Sequence, residues 1–378
     1  MTNVDVIEVQ GSKEAKAFVR FPMALYAGSA YYIPPLIAQE LATFSREQNP
    51  ALENADAKLF LAMDGSEVVG RIAAIMSRSA NERAKTKNLR FGWFDSVNDQ
   101  RVATALFDAV EDWGRALGME TLTGPQGFNS FDKKGMLVEG FEELPTITTY
   151  YNYPYYHDLV TQYGFSKESD HVEYVIPSIR KNGFPPRLGS MIEKLKRRRQ
   201  YSVLRFSTRK QLLDRAQEIL DLMQETYRDL HDIVPLTEKE TAFYVRKFFP
   251  LINKDLVKVV VDDRGQMIGF FIAMPSLSRA FQKANGRLWP FGFIHLWKAL
   301  RTRNKDLDLC LGGVKAQYRG RGVDLIMAKE MYEAATDLGF EQAKANPMLE
   351  TNTRVRAEWK YFEHVLYRRT RVYKKTIG

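Results

Sequence analysis

Two stretches of this chain repeat one pattern, and that repetition limits the folds open to it. Residues 101–120 and 322–341 both carry apolar side chains at spacings of 4, 4, 3 and 4. In the first these are Val102, Leu106, Val110, Trp113 and Leu117; in the second, Val323, Met327, Met331, Ala334 and Leu338. Such spacing predicts one buried face of an amphipathic helix, twice. Each stretch ends in Leu-Gly, an apolar residue and Glu, and Gly118 and Gly339 stand 221 residues apart, where a helix end favours a residue free to take positive φ. Upstream, residues 58–76 and 256–274 each read as two strands joined by a short glycine-containing turn, with Gly70 and Gly269 199 residues apart. Residues 12–27 and 209–228 read as helices after short strands. Each half therefore predicts strand, helix, hairpin, strand, helix, strand: two copies of one α/β unit. The cluster Pro177, Gly183, Pro185, Pro186 marks the boundary, giving domains 1–180 and 181–378.

The two offsets differ by 22, so the second copy carries about 22 extra residues between its hairpin and its next strand. In this insertion Leu288, Trp289, Phe291, Phe293, Ile294, Leu296, Trp297 and Leu300 alternate with Arg287, Lys298, Arg301 and Arg303. The pattern suits an interfacial amphipathic segment, the wall of an acyl tunnel, or a helix covering the sheet. Composition narrows the setting. With 55 Lys and Arg against 46 Asp and Glu in 378 residues, the charge is +9 and the partners expected are anionic. Cys310 is the only cysteine, which excludes an intramolecular disulfide and any cysteine cluster for metal. His157, His171, His231, His295 and His364 show no metal-ligand spacing, so no metal is expected. The first residues lack the basic and apolar regions of a signal peptide, and no run of about 18 apolar residues occurs. A cytoplasmic location is the expectation, with peripheral contact to an anionic inner membrane open. The run Lys194, Lys196, Arg197, Arg198, Arg199 reads either as a lipid-headgroup patch or as a solvated linker helix.

Immediately before the second long helix, the strand-like run 306–316 leads into Gln317, Tyr318, Arg319, Gly320, Arg321 and Gly322. The glycines let backbone curl closely around a ligand, and the turn aims amides and a helix N-terminus at one point, which suits phosphate. This Gln-x-x-Gly-x-Gly between strand and helix resembles the acyl-CoA loop of the GNAT superfamily. The resemblance implies two tandem GNAT-like domains of the α/β (α+β) class, each a mixed, mainly antiparallel sheet flanked by helices. Asn352, after the strand-like EQAKANP, opens a helix before a closing strand near 366–375, in keeping with that superfamily. Carried onto the first copy at the 221 offset, Gln317, Arg319, Gly320, Arg321 and Gly322 fall opposite Ser96, Asn98, Asp99, Gln100 and Arg101. With both glycines gone and an acid present, the first copy is expected to have lost its donor site and to shape the acceptor site. Tyr150, Tyr151, Tyr153, Tyr155 and Tyr156 line a cleft between the halves in this reading, or else pack the interface.

With NGRLWPFGF before the loop strand and YNYPYY in the first half, the chain is similar to the bacterial ceramide synthase-like family. That resemblance implies an N-acyltransferase moving a fatty acyl group from acyl-CoA, or from an acyl carrier protein thioester, to a long-chain amine of the sphingoid type. Direct attack by an amine needs an oriented thioester, a donor to the oxyanion and a proton acceptor. Val314, Lys315, Gln317, Tyr318, Arg319, Gly320, Arg321, Gly322 and Asn352 are the expected donor-binding residues, with Pro347 beside them. Seven positions after Asn352, where the superfamily often has a tyrosine acid, stands Trp359. Asp308, which shares a strand face with Asp306 and Cys310, and Glu350 are the candidate bases. Cys310, between leucines, reads as a core residue rather than a nucleophile. The alternatives are an N-acetyltransferase or aminoacyl-tRNA-dependent transferase with a polar amine acceptor, and a non-catalytic acyl-CoA-binding scaffold. No nucleic-acid partner is expected from the first reading.

Overall fold

A computed structural model describes residues 4–228, 236–301, 304–353, 359 and 361–378. The first half runs β1 (Asp5–Glu8), α1 (Ser12–Leu25), α2 (Ile37–Thr43), β2 (Ala55–Asp64), β3 (Glu67–Ser77), α3 (Arg78–Ala84), β4 (Asn88–Ser96), α4 (Gln100–Ala116), β5 (Thr121–Gly124), β6 (Met136–Glu139), α5 (Tyr156–Gln162) and β7 (Ser166–Ile176). Two helices follow, α6 (Ile179–Asn182) and α7 (Pro186–Arg199). The plan then repeats as β8 (Ser202–Leu204), α8 (Arg209–Asp214), α9 (Ala216–Tyr227), α10 (Glu238–Phe248), β9 (Val257–Val261), β10 (Met267–Pro275), α11 (Ser278–Ala284), α12 (Gly292–Arg301), β11 (Asp306–Val314), α13 (Val323–Asp337), β12 (Gln342–Ala345), β13 (Met348–Leu349) and β14 (Val365–Thr376). The helix that Asn352 was expected to open falls on 354–358, outside the described residues.

The repeat extends to atomic contacts. A Cβ on Gly70 of β3 would lie 2.7 Å from Val102 and 2.9 Å from Leu106, and one on Gly269 of β10 would lie 2.7 Å from Val323 and 3.2 Å from Met327. In both halves a long helix lies directly on hairpin backbone because glycine leaves room, and the same two apolar positions of each helix fill it. The faces opposite α4 and α13 are covered by α1 and by α8–α9, through Phe18 and Val19 in one half and Leu212, Ile219, Leu222 and Met223 in the other. Local signals set several helix starts. Thr237 and Glu240 bond each other's backbone amides at the start of α10, and the Glu14 carboxylate accepts from the amides of Gln10 and Gly11 before α1.

All described strands join one 14-stranded sheet, ordered β1-β2-β3-β4-β5-β14-β7-β12-β11-β10-β9-β8, with β6 against β14 and β13 against β7. The pairs β4–β5 and β11–β12 are parallel and the rest antiparallel. Two strands are exchanged across the middle. β14, the last in sequence, pairs with β5 of the first half over Tyr373–Thr376, while β7, from the first half, pairs with β12 of the second. β14 and β7 then pair with each other, bringing Arg368 opposite Glu173. Both are fully buried, their charged groups 3.9 Å apart, and the Tyr367 hydroxyl donates to Glu173 Oε2. The join between the halves is continuous sheet.

Candidate active site

In each half the parallel pair parts at one end, and each parting makes an opening in the sheet. In the second half β11 and β12 run together from Asp306–Gln342 to Leu309–Ala345 and then separate. Asn346 closes the vertex: its N–H donates to Leu309 O at 3.1 Å, its side-chain amide to Cys310 O at 2.9 Å, and its Oδ1 accepts from Thr148 of the first half. Beyond the vertex, residues 310–314 of β11 continue without β12.

At the end of β11 the chain makes a tight turn through Ala316–Tyr318 and reaches Gly320 and Gly322, both left-handed at φ 70° and 81°. Gly322 is the N-cap of α13, and no side chain caps that end. The first bond within the helix runs from Ile326 N–H to Gly322 O, so the amides of Val323, Asp324 and Leu325 point out of the helix end. Those amides, the helix dipole and a loop without side-chain obstruction at Gly320 offer an anion site. The expected donor-binding residues from Val314 to Gly322 are therefore contiguous around one turn. Three are tied up: Lys315 pairs with Glu225 at 3.1 Å, Arg319 donates to the carbonyls of Val314 and Thr226, and Tyr318 donates to Asp262 at 2.8 Å. Arg321 lies over the Tyr318 ring. Asn352 lies past β13, its N–H on Leu349 O. The basic helix α7 packs on α13 through Ile192 and Leu195, the latter against Gly322, so it is docked rather than a free linker; Lys194 and Arg197–Arg199 stay exposed.

In the first half the turn is much shorter. Only Val97, Asn98 and Asp99 separate β4 from α4, whereas Lys315–Gly322 separate β11 from α13. Asp99 caps α4 with its own carboxylate, which accepts from Arg101 N–H at 2.9 Å and pairs with the Arg101 guanidinium. A single 221 offset across this turn therefore misaligns its residues. The parallel strands β4 and β11 are 218 residues apart and only the helices 221, so Ser96, expected opposite Gln317, is the last residue of β4.

The two candidate bases have opposite surroundings. Asp308 is 2% exposed, and neither carboxylate oxygen has a well-formed hydrogen bond among the described residues. Burial raises its pKa to about 7, tempered by Ser276 and Lys344 and reinforced by Asp306 and Glu173. Glu350 is ion-paired with Arg369, which holds it below the usual carboxylate range. The same Arg369 reaches toward Asp170, whose carboxyl burial alone would raise but Arg371 and Lys167 hold at about 2. Cys310, expected in the core, is only partly buried: it is the residue skipped where β10 and β11 shift register between the pairs Ala273–Leu309 and Ile272–Leu311, and burial pushes its thiol up. Trp359 is buried against Tyr174, ring centroids 5.2 Å apart, and His364.

Around Asp308 lies a buried polar cluster that sequence reasoning missed. Lys344 faces it across the parallel register and donates to Leu144 O, and Glu173, Tyr367 and Arg368 come from the exchanged strands. Charged residues at mid-strand positions of β7 and β14 were the available signal. The tyrosines also belong elsewhere than expected. Tyr150, Tyr151 and Tyr156 line a cavity in the first half's own opening, with Trp93, Phe94, Asp95 and Pro125, and Tyr153 and Tyr155 pack on that half's core. There Arg71 pairs with buried Asp95 at 2.8 Å, and the Tyr26 hydroxyl donates to the same carboxylate. Among the described residues no cluster of metal-ligating side chains occurs, and no helix is long and apolar enough to cross a membrane.

A parallel pair that parts at one end of a mostly antiparallel sheet, with a long helix between its two strands, is the GNAT acyltransferase fold, and this chain carries it twice, with the glycine turn and uncapped helix in the second half alone. Solved structures share the arrangement over the full length. A tandem GNAT protein from the clavulanic acid biosynthesis pathway superposes with a TM-score of 0.59 at 12% identity, covering 100% of this chain and 99% of the other. A GCN5-related N-acetyltransferase from Sphaerobacter thermophilus gives 0.52 at 14% identity, over 98% and 96%. In sequence the chain is similar to the bacterial ceramide synthase of Caulobacter vibrioides, 27% identical over 394 aligned positions covering 100% of this chain and 99% of that one. It is also similar to protein YghO of Escherichia coli K12, 26% identical over 96% of this chain and 93% of that one. No protein-family model matches it.

Proposed function

We propose that this protein is an acyl-CoA-dependent N-acyltransferase whose acceptor is the amine of a sphingoid-type long-chain base. The observation that carries the reading is the glycine turn opening onto the uncapped start of α13, one strand length from buried Asp308. The full-length similarity to a bacterial ceramide synthase supports the acceptor class. The amides of Val323, Asp324 and Leu325, with those of Gly320 and Gly322 beside them, bind the donor's diphosphate, while the Arg321 amide is held by Tyr318 O. The edge of β11 beyond Leu309 offers backbone groups to the pantetheine arm, and the six residue steps from Asp308 to Val314 span about 20 Å. A β11 amide donates to the thioester oxygen as the amine nitrogen attacks the carbonyl carbon. Asp308 accepts the proton from the nitrogen, collapse of the tetrahedral adduct breaks the C–S bond and expels the thiolate, and the proton held by Asp308 passes through solvent to the sulfur, regenerating the base and giving the free thiol. We assign the base to Asp308 over Glu350 because a carboxyl near pH 7 is matched to proton transfer, whereas one held down by Arg369 is a poor acceptor. Residues 1–180 form a degenerate copy without a donor site, since Asp99 supplies its helix with an anion. A long-chain base resides in a bilayer, so the protein works in the cytoplasm at the inner membrane surface.

The test is thiol release from acyl-CoAs of rising chain length with sphinganine or its 3-keto form. Long-chain transfer to either amine is expected. Activity confined to acetyl-CoA and polar amines would remove the lipid acceptor, and no thiol release with any amine would remove the enzyme.

A further inference from the structure

The insertion that separates the second half from the first presents the most exposed aromatic surface among the described residues. Trp289 is 78% exposed and Phe291 69%, with Phe293, Trp297 and Leu288 exposed around them. All of 287–291 is exposed, a continuous turn ahead of α12. By contrast Trp93 and Trp359 are buried, and Trp113 packs on the first-half core. These side chains do not hang on a loose loop. Gly292 sits so close to the Arg287 carbonyl that any Cβ would collide with it, Phe293 N–H donates to Leu288 O, and the Trp289 and Phe293 rings lie 5.3 Å apart. The platform beneath is fixed to the other half: Gln282 of α11 donates to the carbonyls of Ala30 and Tyr32, Ile37 N–H donates to Gly286 O, and Ser278 donates to Pro145 O.

Charge decides what covers this face. No Asp or Glu occurs between Asp263 and Asp306, while Arg279, Lys283, Arg287, Lys298 and Arg301 are exposed in the insertion. Arg301 lies over the Trp297 ring, 5.2 Å from its centroid, so cation and aromatic share one side of the helix. A second copy docking through this face about a two-fold axis would set these cations against themselves. Trp and Phe beside Arg and Lys, on a short helix that cannot span a bilayer, match the chemistry of an anionic membrane interface. We propose that the α11–α12 insertion is a docking surface for an anionic lipid bilayer, with Trp289, Phe291 and Trp297 entering the headgroup region. Its purpose rests on the lipid acceptor proposed above, but the surface is argued from its own residues. Because α11 is bonded to the segments around Tyr32 and Pro145, docking here brings the bilayer beside the junction of the two halves.

The experiment is flotation of the full chain with vesicles of phosphatidylcholine, with or without about a third phosphatidylglycerol. Binding to the anionic vesicles, with blue-shifted tryptophan emission quenched by brominated lipid, is expected. Trp289→Ser/Phe291→Ser/Trp297→Ser should weaken it by tenfold or more. Lys298→Gln/Arg301→Gln should weaken it about fivefold per residue, in a salt-sensitive way. Unchanged far-UV circular dichroism and unchanged thiol release with a short-chain, water-soluble amine check that the variants are folded. Absence of vesicle binding, undiminished binding by either variant, or self-association abolished by the triple variant would overturn the proposal. Vesicle binding needs neither donor nor acceptor, so its failure leaves acyl transfer standing, and failed transfer leaves docking standing.

Discussion

At the scale of single residues, Asp308 gives the sharpest expectation. Its carboxyl titrates near pH 7 in the folded chain and near 4 when unfolded. As a base it is competent only when ionised, so kcat/KM should rise with pH up to about 7 and then level off. Asp308→Asn should abolish that limb and most turnover. The same shift has a stability consequence of definite sign. Between about pH 4 and 7 the folded state holds a proton that the unfolded state has lost, so folding weakens as pH rises through that window. Asp308→Asn should therefore raise the melting temperature more at pH 8 than at pH 5, read by thermal denaturation at both. Gly320 gives the second expectation. It is left-handed, with open space where a Cβ would go, so Gly320→Asp should fold while placing a carboxylate beside the diphosphate amides. Loss of donor binding by calorimetry is expected, and full activity in that variant would remove the loop assignment. Asp308 was legible as a strand-face carboxylate by period two. Its burial was not, because Lys344, Glu173 and Tyr367 come near it only through strand pairing.

At the scale of elements, the helices were readable and the turn between strand and helix was not. The 4, 4, 3, 4 spacing picks out Val102, Leu106 and Val110 of α4 and Val323, Met327 and Met331 of α13, all buried. Gly70 and Gly269 mark where those helices touch the hairpins. Substituting either with Ala forces a β-carbon to 2.7 Å from a valine methyl with little freedom at χ1, and should cost about 1–3 kcal/mol in denaturant unfolding. The turn was misjudged because helices are fixed by periodicity and loops are not. Once the lengths of the two turns differ, a constant offset carries one copy's residues onto the wrong neighbours, as it did for Ser96. The insertion has the expected composition and lies between β10 and β11, but the expected length of 22 was too long: β4 and β11 are 218 residues apart against 199 for Gly70 and Gly269, which leaves 19 there, and the other three residues belong to the turn before α13. The separate fate of Tyr150 and its neighbours was hidden, since a tyrosine run is compatible with either a cleft or a core.

At the scale of the whole molecule, strand exchange is what sequence reasoning missed, because nothing in β7 or β14 names its partner. Pairing between residues 122 and 375, or 173 and 368, is set by the tertiary sheet and leaves no local mark. A boundary near residue 180 therefore divides the chain in sequence but not in space. Expressed alone, 1–180 would leave β5 and β7 unpaired where β14 belongs, and 181–378 would leave β12 and β14 unpaired where β7 belongs. Bare edges of that kind aggregate. Each fragment should be insoluble by itself, and co-expression should yield a stoichiometric complex on size exclusion. Glu173→Gln tests the same seam. Half of a fully buried ion pair would be left without its counter-charge, at about 3–5 kcal/mol, as read from denaturant unfolding.

The position of β14 also orders events at the ribosome. Domains usually mature from the N-terminus while translation continues, yet here the sheet begun by β1 and β2 gains its central member only when residues 365–376 have been made. The nascent chain must carry two unfinished edges, on β5 and β7, until β14 emerges, so that interval is when this protein depends most on chaperones.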